Sequence, residues 1–340
     1  MREIRKNNHY ISQFYLKHWS PDGVQINGYR TLVSHQDVPV WKRYSIRSVA
    51  YYKDLYTIMT KTGEVDEFER WLGSNFESPT EDAIHKVINR QQMTPNDWER
   101  IIRFTASQYV RTPARLIENM SRWQQQLPEI VEKSLKETVN NLKNGTIPDR
   151  TNQSSNNTDR FPGQVKFTPS TEKGTSIIEV NAIAGRGMWL WEMKHLLSST
   201  INELLKHNWC VMTAWPGFRW VTSDDPVICL NYYAPEQYDF KGGWGSKGSE
   251  ILFPLSPHHL LYTKIGYKKP ENRNLNLEMS TKFQKLFIEH AYRWIFAENP
   301  IEEIEILRPR TVNKIKFDSE KNEWLRWHDM QSKEEIAFDQ

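Results

Sequence analysis

The spacing of apolar side chains changes character twice along this chain, and that constrains the fold more than any single motif does. Before Val65 the apolar residues fall mostly in short β-branched or aromatic runs, Val24–Tyr29, Val38–Tyr44 and Leu55–Met59, with polar breaks between them. From Val65 they recur at helical spacing, over Val65–Asn75, Thr80–Asn89, Pro95–Arg111 and then 114–143. After one more helical stretch at 188–207, the pattern from Trp209 is again that of strands: Trp209–Trp215, Arg219–Thr222, Val227–Leu230, Ile251–Phe253 and His259–Ile265. Helices and strands therefore come in blocks. Strict alternation would predict a doubly wound parallel sheet, whereas blocks predict an α+β fold with a mostly antiparallel or mixed sheet.

The ends and the joints of these blocks follow from local chemistry. Thr94, Pro95 and Asp97 together make a strong helix start, and Pro113 predicts a break or kink just after Arg111. Residues 7–19 carry apolar side chains near helical spacing, which predicts a short helix capped by Asn7 or Asn8. Asn276–Ala297 reads as a helix, and the charged tail after Asn299 as a peripheral appendage. Residues 144–163 are almost devoid of apolar side chains, which predicts a polar insertion, dispensable for folding, followed by a strand pair at Gln164–Phe167 and Thr175–Val180. The resulting organisation is a basic N-terminal segment with a helical block over 1–143, the insertion, and an α+β region over 164–340 that completes one unit with the first.

Composition narrows the function classes. The 14 Trp, 14 Tyr and 14 Phe supply ample core, so wholesale disorder is excluded. No stretch is apolar for long enough to span a membrane as a helix, and the charged start lacks the apolar core of a secretory signal. Cys210 and Cys229 lie in apolar, strand-like surroundings and show no metal-ligand spacing, so both are expected buried and reduced, in a cytoplasmic protein. The net charge of +3 neither demands nor excludes a nucleic-acid partner. The first 60 residues hold nine Lys/Arg against four Asp/Glu, however, so this segment could approach phosphate.

Four motifs could carry chemistry. In HYISQFYL, residues 9–16, a helix would put His9 and Gln13 on one face: a group that titrates near neutral pH beside a neutral donor–acceptor, with Tyr10 and Phe14 on the adjacent stripe. Local packing of His9 is the plainer alternative. In SQYVRTPAR, residues 107–115, Gln108 and Arg111 share a face where the helix must stop. Arg111 is then either an anion clamp or half of an internal ion pair with Glu77 or Glu81. In VTSDDPV, residues 221–227, Asp224 lies on a strand-end turn, where rigid scaffolds hold catalytic carboxylates and where Asp is also a common turn residue. FPLSPHHLL, residues 253–261, reads as structure, because adjacent His258 and His259 point to opposite sides of an extended chain. The glycine-rich GGWGSKG, residues 242–248, has no helix after it and so fails as a phosphate loop.

In their order and spacing HYISQFYL, QYVRTP, TSDDPV and FPLSP resemble a bacterial and fungal family known as domain of unknown function 4238, with Ser12 standing where that family usually has proline. Some of its members look like single-gene defence proteins against phage. The resemblance implies that His9, Gln13, Gln108, Arg111 and Asp224, with Glu77 as a weaker match, are the polar residues of a shared site. The expectation is an anti-phage effector that hydrolyses a phosphodiester in nucleic acid or a nucleotide. His9 would act as general acid or base with Gln13 beside it, Arg111 would stabilise phosphate charge, and Gln108 and Tyr10 would bind substrate. Asp224, with Glu77 as the weaker member, would orient His9 or hold a divalent metal ion. The alternative is a non-enzymatic module that recognises a phage component or nucleotide in the same pocket.

Overall fold

The computed structural model describes residues 5–60, 63–143, 163–169 and 176–338. The polar insertion expected at 144–163 lies outside them but for its last residue, Gly163, which opens a strand.

The chain enters as a strand, β1 (Asn7–His9), and only then turns into a short helix, α1 (Gln13–Leu16), continued by a 3-10 turn to Trp19. The expected helix over 7–19 is thus half strand. Asn8 caps no helix: its side-chain oxygen accepts from the Tyr56 N–H and its amide donates to the Arg5 carbonyl, which pins the segment extended. The residue before α1 is Ser12, at φ −60° and ψ 133°. That is backbone a proline would also adopt, so a serine here leaves the helix entry unaltered.

Next come β2 (Gln25–Arg30), β3 (Leu32–Val33), β4 (Trp41–Ser45), β5 (Tyr51–Lys53), β6 (Ile58–Thr60) and β7 (Gly63–Val65). The run expected at Leu55–Met59 is interrupted, since Asp54 adopts a left-handed φ of 52° and its N–H turns back to the Lys6 carbonyl. The helical block follows: α2 (Glu67–Leu72), a π-turn at Gly73–Glu77, α3 (Glu81–Ile88), α4 (Pro95–Val110) and α5 (Pro113–Lys143). The start of α4 is the reciprocal cap its sequence predicts, with Thr94 Oγ1 accepting from the Asp97 N–H and the Asp97 carboxylate accepting from the Thr94 N–H. Pro113 separates α4 from α5, as expected.

The second half holds β8 (Gly163–Pro169), β9 (Ser176–Ala182), α6 (Arg186–His195), a π-turn at Leu196–Thr200 and α7 (Ile201–Leu205). Strands β10 (Cys210–Thr213), β11 (Thr222–Ser223), β12 (Ile228–Ala234), β13 (Gln237–Asp239), β14 (Glu250–Ser256) and β15 (His259–Lys264) follow. Then come α8 (Leu277–His290), β16 (Trp294–Ala297), α9 (Glu303–Leu307), β17 (Thr311–Val312) and α10 (Lys314–Phe338). The helix expected over Asn276–Ala297 stops at His290, and its last residues form β16 instead. Trp294–Ala297 is an aromatic and β-branched run that gains more by pairing with β2 than by extending a helix. The tail is not peripheral either: β17 pairs with β3, and Gln331 and Ser332 of α10 are buried.

The fold is α+β. One antiparallel sheet has the order β10-β15-β14-β12-β13 and a second the order β11-β16-β2-β4. The larger core gathers Tyr15, Trp19, Phe104, Trp189 and Phe253 between the helical block and the first sheet. A smaller core sets Trp220, Phe283, Phe287 and Ile295 under α8. Both cysteines are buried and unpaired. Among the described residues no helix is long and apolar enough to cross a membrane.

Candidate functional site

Arg111 is where the site begins. Pro113 denies α4 another turn, so Arg111 falls at its C-terminal cap with its side chain directed inward. Only 1% of the residue is exposed, and a desolvated guanidinium must be fully paired. Its Nε donates to the Tyr10 carbonyl at 2.9 Å and its Nη1 to Glu77 Oε1 at 2.6 Å. The Gln108 amide, turned so that its oxygen faces the cation, accepts from Nε at 2.8 Å. These bonds settle the open alternative: Arg111 forms the internal ion pair with Glu77. It is no free anion clamp, because its donors are engaged below the surface.

Glu77 carries that pairing outward. It ends the π-turn after α2, and its side chain is 27% exposed on an open groove of about 1100 Å³. His9, Gln13, Glu69, Arg5 and Lys6 line the same groove. The Gln13 amide lies 3.3 Å from His9 Nδ1, so its orientation sets which ring nitrogen holds the proton. The expectation that His9 and Gln13 meet holds, although by a strand, a turn and a helix start rather than by one helical face. The other ring nitrogen, Nε2, is covered and has no hydrogen-bond partner. Burial lowers the His9 pKa. The Arg111 charge pushes it the same way, while the Arg47 and Asn7 backbones and Glu77 oppose. His9 is therefore neutral at pH 7.

Glu69 was not foreseen. It lies in the first turn of α2, and burial pushes its carboxyl up to about 7, against the opposing Arg111 charge and with the neighbouring Glu77 adding to the rise. Its Oε2 has no partner. In an unbroken α-helix, residues eight apart drift off a common face. The wider π-turn between Glu69 and Glu77 corrects the phase and puts both on the groove, and π-turns of this kind are frequent at functional sites. The sequence signal was the acid pair itself; the π-turn that aligns it has no reliable sequence signature.

Other expected members lie elsewhere. Gln108 and Tyr10 are buried and do not line the groove, so neither is placed to touch a substrate there. Asp224 is 2% exposed, and its two carboxylate oxygens accept from the Tyr292 N–H at 2.9 Å and the Arg293 N–H at 2.8 Å. Burial pushes its carboxyl up to about 7 against those two bonds. It ties the TSDD turn to the approach of β16 and does not reach the groove. Its neighbour Asp225 is the acid that meets the RTPAR segment, accepting from Thr112 Oγ1 at 3.0 Å and Arg115 Nη2 at 3.1 Å. Thus the three blocks pack against one another, with Arg111 on the Tyr10 carbonyl, Tyr15 on Thr222 and Thr112 on Asp225, but of the three only HYISQFYL lines the groove. Glu77 and Asp224 are accordingly no metal pair. Among the described residues no three His, Cys, Asp or Glu side chains are grouped to hold a metal ion.

No curated protein and no solved structure matches the chain. The family described as Protein of unknown function (DUF4238) matches residues 7–300, a span that contains His9, Gln13, Glu69, Glu77 and Arg111. With that much of its length matched, the chain belongs to DUF4238.

Proposed function

We propose that this protein is a hydrolase working by general acid–base chemistry in the groove over Glu77, on a phosphodiester of nucleic acid or a nucleotide, as an effector in defence against phage. The observation that carries the reading is His9: a neutral imidazole on the wall of an open groove, with Nδ1 beside Gln13, Nε2 covered, and the Glu77–Arg111 pair at its side. With Nε2 covered, Nδ1 is the nitrogen that takes a proton from water, and Gln13 beside it orients the ring. The phosphate charge falls to Arg5 and Lys6, the basic residues of the N-terminal segment that line the groove, in place of Arg111. The setting in phage defence rests on the family resemblance alone.

A binding module would be expected to rim its pocket with aromatic side chains. Phe14 is the aromatic side chain among the groove's lining residues, which favours chemistry over recognition.

The test is to incubate purified protein with labelled single- and double-stranded DNA, RNA and cyclic nucleotides, each of which carries a phosphodiester, beside His9→Ala. The expected outcome is cleavage of at least one by the parent protein and a loss of about 10²–10⁴ in rate for the variant, with an unchanged thermal midpoint. Protection against phage in bacteria carrying the gene should disappear with it. Tight binding without turnover would overturn the hydrolase reading in favour of a recognition module. A His9→Ala variant that melts early and loses activity only in proportion would make His9 a core residue.

A further inference from the structure

We propose that Glu69 is a second catalytic residue of this groove, the group that protonates the leaving oxygen as the phosphodiester breaks. The inference rests on the hydrolase reading above and adds the acid that such a reading needs.

Three observations converge on Glu69. It lines the groove together with His9 and Glu77, so it faces the same space. Its Oε2 is covered and has no hydrogen-bond partner among the described residues, which is unusual for a carboxyl group without a task. And the π-turn, a costly irregularity in a helix, is what brings Glu77 into line with it. The two acids then differ in one respect: Glu77 has the Arg111 guanidinium at 2.6 Å, and Glu69 forms no ion pair among the described residues. The Glu77 carboxylate is held by Arg111, which leaves Glu69 to serve as the acid, with His9 as the base. The groups facing Glu69 are Arg111 at the end of α4, Glu77 on the π-turn, Arg5 on the entering segment and Asp66 just before α2. Burial outweighs them, and the carboxyl holds its proton up to near neutral pH.

The step balances without a further reactant. Water adds to phosphorus and gives its proton to His9. The bond from phosphorus to the leaving oxygen breaks, and that oxygen takes the proton of Glu69. Both groups return to their starting state by exchanging protons with solvent.

The experiment compares Glu69→Gln with the parent protein on two probes: bis(p-nitrophenyl) phosphate, whose leaving group is a stable anion that needs no proton, and an oligonucleotide cleaved by the parent, whose leaving alkoxide does. The expected result is a loss of about 10²–10⁴ in rate on the oligonucleotide and less than about tenfold on the nitrophenyl ester. Glu69→Asp, which keeps the acid, should recover part of the oligonucleotide activity. Equal losses on both probes, with a thermal midpoint no lower than the parent's, would overturn the assignment while leaving the hydrolase reading in place. Unaltered rates on both would do the same. A parent protein that cleaves neither probe would remove both proposals together. If Glu69→Gln fails to fold, Glu69→Asp decides the matter by the same ratio of the two rates.

Discussion

Glu69 and Glu77 leave one stretch of helix and meet different fates, and that of Glu69 can be read by titration. Glu77 is paired with Arg111. Glu69 has its carboxyl raised from the ordinary 4.5 to about 7, chiefly by burial. For an acid with a raised pKa the folded state binds the proton more tightly than the unfolded chain. Its contribution is therefore neutral below pH 4.5 and becomes a growing penalty as the pH rises towards 7, constant thereafter. Glu69→Gln removes that penalty. The variant should match the parent near pH 4 and exceed it at pH 8 by at most about 3 kcal/mol, measured by urea or thermal unfolding across that range. A variant less stable than the parent at pH 8 would show that Glu69 is held ionised by partners. Together with a loss of activity, a gain in stability would mark a residue kept for function at a cost to the fold.

At the scale of elements, the motifs acted through neighbours that their own spacing could not name. HYISQF is legible as a short apolar block, yet whether it starts as helix or strand was decided by the Asn8 side chain binding Tyr56 and Arg5 and by β1 pairing with β5. QYVRTP is legible as a helix stop, because proline acts locally. TSDDPV is legible as a turn, and its first acid proves to be an anchor: Asp224 holds two backbone N–H groups at the end of the α8-to-β16 link. Asp224→Ala should strand both donors and destabilise the protein by about 2–4 kcal/mol, visible as a lower urea midpoint, with His9-dependent activity falling only as the folded fraction falls. Full stability with lost activity would return Asp224 to the chemistry.

For the whole molecule, α10 is the element whose part was least visible. Its residues follow the family-matched span, yet they close the fold around Arg186, a fully buried cation. Arg186 Nε and Nη2 donate to the two carboxylate oxygens of Glu335 at 2.9 and 2.5 Å, and Nη1 lies 2.8 Å from His328 Nδ1. His328 in turn reaches Glu64 on the groove at 3.1 Å, and Trp324 stacks on Tyr52 with centroids 4.1 Å apart. The close fit explains Gly185, where a Cβ would run into Gln331 Oε1. Ending the chain after Asn313 should leave Arg186 buried without its carboxylate, at a cost of about 3–5 kcal/mol. That is a large share of a typical domain's stability, so the truncated chain should melt far lower or accumulate as insoluble protein. A truncated chain of parent stability would mean that the tail is the appendage its charge suggests.

The division between what was legible and what was not follows the range of the forces involved. Apolar period, proline and capping residues act within a few positions. The sequence by itself therefore determined the α+β class, the helical block with its Thr94 start and Pro113 stop, the strands β10, β12, β14 and β15 and the burial of both cysteines, while the strand expected at Arg219–Thr222 forms only at Thr222–Ser223 and β13 was not foreseen. Which side chains of the motifs face solvent depends on desolvation, and desolvation depends on everything packed around a group. Only the tertiary structure could bury Arg111 beneath Glu77, turn Asp224 inward to backbone N–H groups and, through the π-turn, bring Glu69 to the groove beside His9.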